Sequence, residues 1–147
     1  MHITHPIQPQ SRPAPGEDAG SDDPVATGCC AVVCGASGIE TVCDLLRAGA
    51  ASVTLLRAGE RPEADSADLL IAQPVAGIEA ATAAVRHARR ALRPGGVARL
   101  KIPRGDAGSV LRATRGALRA AGLTLRDVAT DRDGIVLTAT RPAERPA

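Results

Sequence analysis

A glycine turn, Cys34-Gly35-Ala36-Ser37-Gly38, follows the first apolar run of the chain. Glycines there let a strand meet a helix closely and bring bare backbone near whatever lies beside the turn. Few other residues offer chemistry. The chain has no Phe, Tyr or Trp, so it lacks a phenolic acid or base and any π platform for bases or cations. Recognition must rest on hydrogen bonds, charge and aliphatic contact. Four cysteines, Cys29, Cys30, Cys34 and Cys43, fall within fifteen residues. Neighbours in the strand-like run 29–34 point to opposite faces and no CxxC occurs, so the four read as reduced, buried thiols of a cytoplasmic chain rather than a metal site. His2 and His5 read as incidental in a polar leader. His87 reads as the boundary residue of a buried helical stripe.

Charge is nearly balanced overall, at +2, but unevenly placed. Between Ala80 and Arg126 there are eleven basic residues against one acid, Asp106. The leader carries Glu17, Asp18, Asp22 and Asp23 against Arg12. Such a leader could shield a basic face or simply keep the chain in solution. The basic stripe reads as a solvated face of an arginine-rich chain, and nucleic acid is not the expected partner, since phosphate contacts alone select weakly and no ring is present to stack on a base. No apolar run reaches 18 residues, and the N-terminus lacks the pattern of a secretory signal, so no membrane association is expected.

The elements that must hold the glycine turn follow from hydrophobic period. Residues 1–27, rich in Pro, Ser, Gly and acids, read as a disordered leader, 28–142 as one domain and 143–147 as a tail. CCAVVC (29–34) reads as a strand buried on both faces. Ser37 and Glu40 form a capping box for a helix whose apolar face is Ile39, Val42, Cys43, Leu45 and Leu46, closed by Gly49. SVTLL (52–56) is a second strand, 57–67 a polar loop, and DLLIAQ (68–73) a third strand. Ile78, Ala81, Val85, Ala88 and Leu92 form one stripe of a helix over 77–92, with Arg86, Arg89, Arg90 and Arg93 facing away. A Pro-Gly-Gly turn then leads into a strand over 97–102. Asp106 caps a weaker helix to Ala121, interrupted by Thr114 and Gly116. Strands 123–130 and 135–140 flank Asp131-Arg132-Asp133-Gly134 as an antiparallel hairpin. The alternation predicts an α/β fold, a three-layer Rossmann-like sandwich with a mostly parallel sheet and a C-terminal antiparallel hairpin. The bends at 34–38 and 93–96 are expected to flank neighbouring parallel strands, with a nucleotide-sized crevice at their carboxyl ends.

Four features together resemble the class I S-adenosylmethionine-dependent methyltransferases: CGASG (34–38), the Asp opening ADLLIA (67–72), the joint LRPGG (92–96), and the ending LRAAGLTLRDV…GIVLTATRP (118–142). The resemblance spans roughly Cys29 to Pro142. It implies S-adenosylmethionine as cofactor, a small-molecule substrate and a catalytic or degenerate methyltransferase. Gly35, Ser37 and Gly38 would approach the methionine part of the cofactor. The family's ribose-binding acid at the close of the second strand falls on Arg57, which cannot accept a hydrogen bond. Two alignments of 52–70 stay open. In one, a βα unit is missing between residues 57 and 67. In the other, SVTLL is the family's third strand, and Glu60 contacts the adenine amine. Gln73-Pro74 resembles the start of the Asn-Pro-Pro-aromatic motif of amino-group methyltransferases. Methyl transfer needs mainly proximity and in-line alignment, so no acid–base pair is required.

Two further readings compete. VVCGASGIE (32–40) resembles the turn of short-chain dehydrogenases, with Arg57 placed to take the 2′-phosphate of NADP. That family's proton-donating Tyr has no counterpart here, which leaves a non-catalytic NADP-binding module. The other is a binding protein that keeps the fold and uses its arginines on a protein or nucleic-acid partner.

Overall fold

The computed structural model describes residues 2–4, 27–35, 38–105 and 107–143. The elements in chain order are β1 (His2–Thr4), β2 (Cys30–Cys34), α1 (Gly38–Arg47), β3 (Ser52–Leu56), β4 (Ala67–Ala72), α2 (Ile78–Ala91), β5 (Leu92–Pro103), α3 (Ala107–Ala120), β6 (Thr124–Thr130) and β7 (Gly134–Thr140). All strands join one sheet in the order β1-β3-β2-β4-β5-β7-β6. Strands β3, β2, β4 and β5 run parallel, while β1 pairs antiparallel with β3 and β7 antiparallel with both β5 and β6. The expected α/β sandwich and its C-terminal hairpin are present.

Side-chain alternation divides the core between the two faces of the sheet. On one face Val32, Leu56, Leu70, Ala72, Ala98, Leu100, Ile102, Leu137 and Ala139 pack under α2 and α3. On the other, Ala31, Val33, Val53 and Leu69 pack under Val42 and Leu45 of α1. Helix α2 presents Ala81, Ala84, Val85, Ala88 and Ala91 inward. Small side chains at the interface bring the helix close to the sheet, and the core is closed without Phe, Tyr or Trp.

The chain departs from the sequence reading at several places. The first lies in the leader, where His2–Thr4 pair with Ser52–Thr54 as an edge strand. Polar composition hides such pairing because backbone groups alone make it. The proposed caps Ser37 and Asp106 lie outside the described residues. Ile39 and Ile78, assigned to buried stripes, are 59% and 55% exposed, each in the first turn of its helix. Cys43 is exposed as well, although all four cysteines are free thiols. Thr114 is fully buried instead of interrupting α3, because its hydroxyl donates to the Val110 carbonyl at 2.6 Å and so carries no unsatisfied group inward.

The largest departure concerns LRPGG. No free turn separates α2 from β5, since Leu92 already pairs with Ala67 and the register then jumps to Leu69 against Val97. The intervening residues form a bulge, tied by Gly95 N–H to the Arg141 carbonyl and by Arg141 N–H to that of Gly96, at 2.8 and 2.9 Å. This bend therefore sits at the amino end of β5, whereas residues 34–38 begin at the carboxyl end of β2. The strands themselves are not neighbours, because β4 runs between them. The bends share a sheet but flank no common crevice.

Between Leu56 and Ala67 there is neither helix nor strand. Strand β3 lies directly beside β2 in parallel register, Cys30 to Cys34 against Ser52 to Leu56. It thus occupies the place of a second strand, and a ten-residue connection crosses to β4 on the far side of β2.

Candidate functional site

The order of strands reverses at β2. From it the chain moves outward to β3 on one side, then returns to β4 on the other. In open α/β sheets this reversal leaves a crevice outside the carboxyl ends of the strands, because the connecting loops diverge there. The crevice is present here as a cleft of about 960 Å³. Its floor is the end of β2 with Gly35. One wall is the first turn of α1, with Gly38 and Ile39, and the opposite wall is Ala80, Ala83, Ala84 and His87 of α2. Leu55, Leu56 and Arg57 close it from β3, and Pro74 and Val75 from β4. The exposure of Ile39 follows from its position at the rim.

Both glycines are set by close contact within the chain. Gly35 has φ +119°, and a Cβ on it would lie 1.9 Å from the carbonyl oxygen of Gln73. The Gln73 N–H also donates to the Cys34 carbonyl at 3.0 Å. The β2–α1 bend and the β4–α2 bend are therefore pressed together. A Cβ on Gly38 would meet Leu55 Cδ1 at 2.3 Å, so its small size seats α1 against β3.

Of the six residues expected to hold a cofactor, Gly35, Gly38 and Arg57 line this cleft. Ser37 lies outside the described residues. Glu60 lines an adjacent cavity, beyond Gly59. Gln73 turns its side chain to the opposite face of the sheet, where its amide donates to the Thr41 hydroxyl at 2.5 Å, beside a shallow depression bordered by Arg99 and Lys101. Only its backbone meets the glycine bend. One strand's alternation decides this: Leu69 and Ile71 pack on the α1 side, and Gln73 follows them with period two.

Sequence reasoning missed the wall supplied by α2. His87, read as a boundary residue, borders both cavities and is half-buried. Burial, and then the neighbouring Arg86 charge, hold its pKa below the usual imidazole value. Near neutral pH it faces the cleft as an uncharged donor and acceptor. Cys34 also borders the cleft, and burial pushes its thiol up to about 11, so it is a poor nucleophile at neutral pH. Among the described residues no group of three or more His, Cys, Asp or Glu could hold a metal. None of their helices is long and apolar enough to cross a membrane.

No protein-family model matches the sequence, and no curated protein matches it. Solved structures do match by shape. The antibiotic-resistance methyltransferase Kmr superposes with a TM-score of 0.57 at 17% identity, covering 82% of this chain and 90% of that one. An S-adenosylmethionine-dependent methyltransferase from Mesorhizobium loti gives 0.59 at 14% identity, covering 78% and 92%. The 1,6-didemethyltoxoflavin-N1-methyltransferase of Burkholderia thailandensis, with bound 1,6-didemethyltoxoflavin and S-adenosylhomocysteine, gives 0.58 at 15% identity, covering 79% and 72%. At these identities the likeness is one of fold.

Proposed function

We propose that this chain, whose fold is that of the class I S-adenosylmethionine-dependent methyltransferases, binds S-adenosylmethionine in the switch-point cleft and serves methyl transfer to a small molecule. The observation that carries this reading is the cleft at the carboxyl ends of β2, β3 and β4, with Gly35, Gly38 and Arg57 on its lining. The residues present fit the cofactor in one respect and not in another. A cavity of about 960 Å³ with Leu55, Leu56, Val75 and Ala84 on its walls accommodates a nucleoside and its side arm. At the end of β3, however, Arg57 supplies donors only, so the ribose hydroxyls find no carboxylate acceptor there.

When bound, the cofactor supplies an electrophilic methyl group. The chain's part is to hold and orient. Apolar walls pack against the nucleoside, and neutral His87 can accept or donate one hydrogen bond. Calorimetry with S-adenosylmethionine and S-adenosylhomocysteine tests the reading directly. Heat and a thermal shift with either are expected; neither ligand producing them would end it.

Arg57 in the cleft lining favours a second reading, a non-catalytic module for NADP. In that case Arg57→Ala weakens NADP far more than NAD. Equal loss for both removes it.

A further inference from the structure

Beside the switch-point cleft lies a second cavity of about 750 Å³, and the two share Gly59, Ala83 and His87 on their linings. One wall is the β3–β4 connection, the other the C-terminal half of α2. The connection is fastened to the helix by three hydrogen bonds. Arg90 Nε donates to the Pro62 carbonyl at 2.7 Å, and the N–H groups of Asp65 and Ser66 donate to the carbonyls of Arg90 and Ala91 at 2.9 and 2.8 Å. Pro62 is buried in this contact. The concavity is thus a walled space and not a loose flap.

Five arginines line it, Arg61, Arg86, Arg89, Arg90 and Arg141, against two acids, Glu60 and Asp65. Asp65 is already paired with Arg141, whose guanidinium also donates to the Leu92 carbonyl. Arg90 spends its Nε on Pro62. Arg61, Arg86 and Arg89 enter no ion pair among the described residues. Unpaired guanidinium groups around one concave space sum to a local positive potential. Their planar forks match phosphate oxygens two at a time.

We propose that this cavity is a phosphate subsite for a small phosphorylated ligand whose uncharged body extends past His87 into the switch-point cleft. The shared lining of Gly59, Ala83 and His87 sets the two cavities side by side, within the reach of one such ligand. The site goes beyond the cofactor reading and stands without it; because that body and the proposed cofactor would share the cleft, each ligand is titrated alone. A nucleic acid is disfavoured because no aromatic ring is available to stack a base.

The test is calorimetry on the full chain at low ionic strength, with inorganic pyrophosphate, adenosine 5′-diphosphate and a single-stranded RNA as probes. Two charge-matched variants are compared, Arg86→Gln/Arg89→Gln in the cavity and Arg112→Gln/Arg115→Gln on the exposed side of α3. All four positions are exposed, so both variants should unfold at the wild-type temperature. The expected result is that pyrophosphate binds the wild type and loses about ten-fold in affinity in the cavity variant. It should lose less than about two-fold in the α3 variant. Adenosine 5′-diphosphate should bind more tightly than pyrophosphate. Absence of pyrophosphate binding overturns the subsite, and so does equal weakening by both variants. RNA binding tighter than either small probe and weakened by both variants assigns the arginines to an open nucleic-acid face instead. A nucleotide no tighter than pyrophosphate overturns the shared ligand. None of these outcomes depends on S-adenosylhomocysteine, whose own titration stands or falls separately.

Discussion

Gly35 and Gln73 are in backbone contact, close enough that a Cβ on the glycine would stand 1.9 Å from the glutamine carbonyl oxygen. This contact joins the β2–α1 bend to the β4–α2 bend beside the cleft. Gly35→Ala must therefore displace the β4–α2 bend as well as adopt φ +119°. The expected cost is at least about 3 kcal/mol, and chemical denaturation reads it. Gly77→Ala is the control, since Gly77 also has positive φ but has open space where its Cβ would go. With φ +104° and ψ 168°, a region nearly confined to glycine, its backbone strain alone should cost about 1–3 kcal/mol. Similar losses in the two variants would mean that the contact with Gln73 contributes nothing.

The second prediction concerns the end of β3. Arg57→Asp replaces a donor with an acceptor at the position facing the ribose hydroxyls in the proposed cofactor reading. S-adenosylhomocysteine affinity should rise by about ten-fold, the increment of one or two charge-assisted hydrogen bonds in a partly exposed site. Titration calorimetry measures it. Unchanged or weaker binding would place the ribose elsewhere.

Thiol reactivity gives a third. Burial holds the Cys34 pKa near 11, so below that pH the group is mostly the unreactive thiol. Cys43 is exposed on α1. At pH 8 iodoacetamide should label Cys43 well before Cys34, as peptide mass mapping would show. Cys34 should respond only as pH approaches 11. Faster labelling of Cys34 at pH 8 would contradict its burial.

Much of the fold was legible because local pattern and tertiary demand agree. The continuous apolar run ending at Cys34, the buried stripe of α2 and the Asp-Arg-Asp-Gly reversal each state their structure locally. The Asp131 side chain even makes the turn itself, accepting the N–H groups of Asp133 and Gly134 at 2.8 and 2.9 Å. What escaped was decided by partners distant in sequence. That Leu92 pairs with Ala67, and so places Pro-Gly-Gly at the amino end of β5, is a matter of register between strands. The side on which Gln73 falls follows from alternation along β4, once the sheet fixes which face lies under α1. The glycine bend was legible as a close approach, though its nearest neighbour proved to be the Gln73 backbone. The arginines of α2 looked like a solvated stripe until the β3–β4 connection, fastened through Pro62, turned part of that stripe into a wall.

The outer strand β6 carries a register shift between Leu125 and Asp127 against its partner β7. Two adjoining charges, Arg126 and Asp127, sit at the irregularity, with Arg126 Nε bonded to the Thr140 hydroxyl at 3.1 Å. A second molecule approaching along this border would meet a kinked ladder and ionic side chains, not a straight row of free amides. Continuing the sheet from one molecule into the next is thereby disfavoured on the hairpin side.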